Sequence, residues 1–108
     1  MSAAEELLER LKQMAAHAGA TDEQRALTYL VVRYPAIYAT AAAMHQRNFA
    51  LTRVAVRPSP LSGVRSLVEV IFSYTSRDTE VTEKYFVRVD VTEGFPFLVT
   101  KLSPYYDH

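Results

Sequence analysis

The sequence has no cysteine. Disulfide scaffolds, thiolate zinc sites, iron–sulfur clusters and thiol nucleophiles are thereby excluded. An excess of charge is missing too: 12 Lys and Arg balance 12 Asp and Glu. The balance holds in parts, with five of each sign in residues 1–47 and seven of each in residues 48–108. A protein that grips nucleic acid through phosphates shows a positive excess, so no nucleic-acid partner is expected. No apolar run approaches ~20 residues, so no membrane partner is expected. Residues 1–18 do not read as a signal peptide, because Glu5, Glu6 and Glu9 occupy the region that should be basic. These absences point to a cytoplasmic protein.

What is present is ordinary globular composition, 49% apolar and 22% charged in 108 residues. That length holds one domain, residues 1–108, large enough for a core without metal or disulfide. Ser2 followed by Glu5 is a capping box that opens a first helix over residues 1–19, and this helix could be peripheral. Leu7, Leu8, Leu11, Met14, Ala15 and Ala18 form its apolar stripe, and Gly19 suits a left-handed cap. A second helix opens at Thr21 and carries Leu27, Leu30, Val31, Tyr34, Tyr38, Ala41 and Ala42 at helical spacing. Pro35 must kink or restart it, and Asn48 stops it.

After Asn48 the period changes to two. Strands are expected over 51–57, 64–75, 81–91 and 95–102. Short polar turns between them demand antiparallel neighbours. The expected fold is α+β: N-terminal helices packed on a four-stranded antiparallel meander, with cystatin-like element order. The core face would carry Thr52, Val54 and Val56, then Val64, Ser66, Val68, Val70, Phe72 and Tyr74, then Val81, Tyr85, Val87, Val89 and Val91. The opposite face would carry Leu67, Ile71, Phe86, Leu98 and Leu102 among Arg65, Glu69, Lys84, Arg88 and Asp90. Either the first helix covers that second face, or it is an interface with another subunit.

Catalytic and metal-binding patterns are lacking. His17, His45 and His108 have neither each other nor carboxylates at metal-ligand spacing. Ser59 and Ser62 lie in a Pro/Gly loop with no nucleophile elbow. Asp90 sits between valines in a strand, where an arginine partner, Arg88 or Arg65, is expected. Tyr34 and Tyr38 stack one helical turn apart, while Tyr105 and Tyr106 are the candidates for peptide contact. No metal, cofactor or catalytic residue is assigned.

Three long runs carry a family resemblance. They are Arg25-Ala26-Leu27-Thr28-Tyr29-Leu30-Val31-Val32-Arg33-Tyr34-Pro35-Ala36-Ile37-Tyr38, Val68-Glu69-Val70-Ile71-Phe72-Ser73-Tyr74, and Tyr85-Phe86-Val87-Arg88-Val89-Asp90-Val91-Thr92-Glu93-Gly94-Phe95-Pro96-Phe97-Leu98-Val99. The segment Val56-Arg57-Pro58-Ser59-Pro60-Leu61-Ser62-Gly63 adds to them. Together, over residues 22–106, they resemble the C-terminal domain of unknown function of cyanobactin maturation proteases of the PatA/PatG type.

In that family the domain follows a subtilisin-like protease, which cuts a ribosomal precursor peptide and, in the PatG type, closes it into a ring. The resemblance therefore implies an accessory role with the catalytic triad elsewhere. The chain opens at Met1 with no protease segment, as an excised domain or a stand-alone relative would. The expected function is protein–protein contact. A homodimer through the outer sheet face is the first expectation. Docking to protease, precursor peptide or modifying enzymes is the second. The alternative is a small enzyme or ligand-binding module. It would need Asp90 or Glu69 to meet Tyr34 or Tyr38 in a pocket between helix and sheet.

Overall fold

The computed structural model describes residues 2–19, 21–60 and 63–106. Three helices precede four strands: α1 (Ala3–His17), α2 (Thr21–Arg33), α3 (Ala36–Gln46), β1 (Phe49–Pro58), β2 (Leu67–Ser76), β3 (Thr82–Asp90) and β4 (Phe97–Pro104). The sheet is an antiparallel meander in the order β1-β2-β3-β4, an α+β fold.

Local chemistry sets most boundaries. The Ser2 hydroxyl accepts from the Glu5 N–H at 3.1 Å and caps α1. The helix ends differently from expectation: Ala18 is extended, and Gly19 does not take a left-handed conformation. Pro35 restarts the second helical stretch as α3. Proline has no N–H to give the Val31 carbonyl four residues earlier. The Tyr38 hydroxyl donates to that carbonyl instead, at 3.1 Å. Asn48 stops α3 with φ +63°, a conformation asparagine tolerates better than most residues.

The core lies between the helices and one sheet face. Leu7, Leu11, Leu27, Leu30, Ile37 and Met44 meet Val54, Val68, Val70, Phe72, Tyr74, Val87 and Val89. The stripe of α1 is thus spent against α2, α3 and this core, on the helical side of the sheet. The space enclosed by Ile37, Thr40, Phe72, Tyr74, Tyr85 and Leu102 leaves no room for a ligand.

Bulges correct the expected faces. The β1–β2 register shifts between Leu51 and Arg53. Thr52 therefore leaves the valine face and joins a hydroxyl ladder with Thr75 and Thr82, both links 2.9 Å. The β3–β4 register shifts twice, on both sides of Arg88. Leu98 then pairs with Val89, and both Leu98 and Leu102 pack on the helical core. They were expected on the outer face; the pairing parity of β4 sends them inward. β2 also starts later than expected, leaving Val64 fully exposed in the preceding loop.

Candidate functional site

The outer sheet face holds Leu67, Ile71 and Phe86 from the expected set. Its centre is Glu69, only 1% exposed. Glu69 sits between Arg57 on β1 and Arg88 on β3 in direct register. Arg57 donates to Glu69 Oε1 at 2.9 and 2.7 Å, and Arg88 to Oε2 at 3.1 Å. Arg57 also donates to the Tyr105 hydroxyl at 2.7 Å. The Arg88 guanidinium lies 4.7 Å over the Phe86 ring, and Phe86 meets Tyr105 edge-on at 5.5 Å. Two arginines thus engage the centre of this face, and Ile71, paired with Phe86 across the strands, is buried. Tyr105 is half-buried in this network, whereas Tyr106 is exposed.

Asp90 is buried on the same face and pairs with Arg65. The Arg65 guanidinium, opposed by burial and helped by the Thr92 N–H at 2.9 Å, holds the Asp90 carboxyl down at about 2. Glu69 and Asp90 face away from the helices, while Tyr34 and Tyr38 pack on the helical core. The groups an enzyme reading required are therefore separated by the sheet. Among the described residues no three His, Asp or Glu gather to hold a metal ion. His17 and His45 are exposed in the last turns of their helices, and His17 Nδ1 donates to the Gln13 carbonyl at 2.8 Å. Ser59 is buried, with its N–H on the Leu67 carbonyl at 2.8 Å. Ser62 and His108 lie outside the described residues.

A second surface lies along α2. One side of α2, formed by Gln24, Arg25, Thr28, Tyr29, Val32 and Arg33, faces Phe95, Pro96 and Phe97 across a groove of about 780 Å³. Its apolar side chains are open to water: Val32 is 68% exposed, Phe95 90% and Phe97 45%. Val99, 49% exposed, continues the apolar line along β4. Arg25 builds the groove's end. Its guanidinium donates to the Val91 carbonyl at 2.6 Å and to the Glu93 carbonyl, clamping the β3–β4 turn onto α2. The Tyr34 hydroxyl accepts from the Leu102 N–H at 3.0 Å and fixes the far part of β4 to the helices.

The sequence held a partial signal for this groove. Val32 lies off the apolar stripe of α2, and Phe95 and Phe97 flank a proline at the start of an edge strand. Only the fold brings α2 to β4.

Comparison with known proteins places this architecture. The family model described as PatG C-terminal matches residues 1–105. The chain belongs to the PatG C-terminal family. A solved structure described as "PatG Domain of Unknown Function" shares the fold, with a TM-score of 0.77 at 18% identity. That match covers 95% of this chain and 40% of the solved one, so the chain spans about two-fifths of its structural relative. No curated protein matches. In this member of the family, no described helix is long and apolar enough to cross a membrane.

Proposed function

We propose that this PatG C-terminal domain is a non-catalytic accessory module in the maturation of ribosomal cyclic peptides of the cyanobactin type, and that it works by contact with other proteins. The observation that carries the reading is the open apolar groove between α2 and β4. Exposed aromatic and aliphatic side chains that converge on one concave surface are costly in water and suit a partner. The filled space between helices and sheet supports contact over small-molecule chemistry. So does the separation of Glu69 and Asp90 from Tyr34 and Tyr38 across the sheet.

The groove is the better contact surface, because on the outer face Ile71 is already buried and Arg57 and Arg88 are engaged with Glu69. Self-association and docking to the pathway's protease, precursor peptide or modifying enzymes are the forms such contact takes. The test combines light scattering over a wide concentration range with titration against the protease domain, the modifying enzymes and the precursor peptide. Association that is lost in the Phe95→Ser variant supports the reading. A strict monomer that binds none of them overturns it.

A further inference from the structure

We propose that the groove and the β4 edge together form a binding site for an extended peptide segment bearing apolar and acidic side chains, captured as a fifth strand. This inference rests on the contact reading above and specifies its partner.

β4 ends the sheet, and among the described residues no strand pairs with its outer edge. Such an edge is a template for strand addition. The open stretch has defined ends. Pro96 has no N–H to offer at one end. At the other, the Leu102 N–H is already taken by the Tyr34 hydroxyl at 3.0 Å. Between them lie residues 97–101, which extend about 16 Å as a strand. The groove wall on α2 runs from Gln24 to Arg33, about 14 Å of helix. The two lengths match, so one extended peptide of four or five residues can run along both. Its alternate side chains then enter the groove against Tyr29, Val32 and Phe95.

Charge chooses the peptide. The groove lining contains two arginines and no carboxylate. Arg25 is held by the turn carbonyls. Arg33 is exposed and makes no ion pair among the described residues. The nearby Glu93 carboxylate is turned to Arg65, at 3.7 Å. Lys101 adds a cation on the strand itself. A second copy of β4 is a poor occupant. From Phe95 to Pro104 its only charged side chain is Lys101, so it brings no carboxylate to the groove's arginines. A peptide with Asp or Glu beside its apolar residues supplies the missing sign.

The test is selection of a displayed library of random peptides, about eight residues long to cover the open edge, against the full chain. Selected peptides are then measured by fluorescence polarisation and hydrogen exchange. The expected winners alternate apolar residues and carry Asp or Glu. They protect the amides of residues 97–101. They bind Arg33→Glu and Phe95→Ser more weakly by about fivefold or more. Winners that are basic, or that bind Arg33→Glu equally well, or that leave β4 unprotected, overturn the proposal. An empty selection also overturns it. In that case, association with folded pathway proteins that Phe95→Ser still abolishes would leave the contact reading standing.

Discussion

Replacing Tyr38 with Phe removes one oxygen and leaves the ring in place. The structure gives that oxygen a specific task. The α-helical donor for the Val31 carbonyl would be the N–H of residue 35, and Pro35 has none. Tyr38 Oη supplies the bond at 3.1 Å from one turn into α3, so it joins the two helices where proline parts them. Burial raises the Tyr38 hydroxyl above the usual tyrosine value, in keeping with a neutral donor. A neutral bond of this kind contributes about 1 kcal/mol net. The site is only partly buried, so water can reach the freed carbonyl and the penalty stays near that value. For a chain of 108 residues, 1 kcal/mol lowers the melting temperature by about 4 °C. Urea unfolding and calorimetry of Tyr38→Phe measure it. The Pro35→Ala background sharpens the test, since an N–H at residue 35 can take over the carbonyl and should shrink the cost of Tyr38→Phe. A Tyr38→Phe protein as stable as the parent refutes the assignment.

Asp90 makes acid stability depend on Arg65. Its carboxyl sits at about 2 when folded, against about 3.9 unfolded. The folded state therefore binds fewer protons, and the contribution is present above about pH 4 and lost as pH falls toward 2. Asp90→Asn should be less stable at pH 6 and lose less stability over that window in acid titration; parallel curves would contradict this. Asn48 tests the left-handed stop of α3. At φ +63°, Asn48→Ala should cost about 1 kcal/mol more than Asn48→Gly in urea unfolding, since both lose the 3.0 Å bond from the Asn48 amide to Asp78 and only alanine is strained. Equal stability of the two variants would remove strain from the explanation.

Much of the fold was legible in single residues. Ser2 with Glu5, Pro35 and Asn48 each mark a boundary by backbone chemistry that acts over a few residues, and the structure places a boundary at each. The change of period after Asn48 announced the meander. The inward turn of Leu98 and Leu102 was not legible. Alternation gives a strand's two faces, but pairing decides which face meets the core, and two bulges opposite β3 intervene. Gly19 misled because glycine permits a left-handed cap without requiring one. The outer-face ion pairs were half legible: Asp90 between valines called for an arginine, whereas the double clasp on Glu69 depends on strand register. The groove joins Val32 to Phe95 and Phe97, more than sixty residues apart in the chain, and no local pattern links them.

A domain that acts by contact through the α2–β4 groove must have that groove covered when a partner binds. Hydrogen–deuterium exchange, with and without the protease domain, the modifying enzymes and the precursor peptide, tests it most directly. Slowed exchange is expected over residues 24–33 and 95–103 with at least one of these partners, and its disappearance in Phe95→Ser. Protection confined to the outer-face residues around Glu69 and Phe86, or none with any partner, would contradict it.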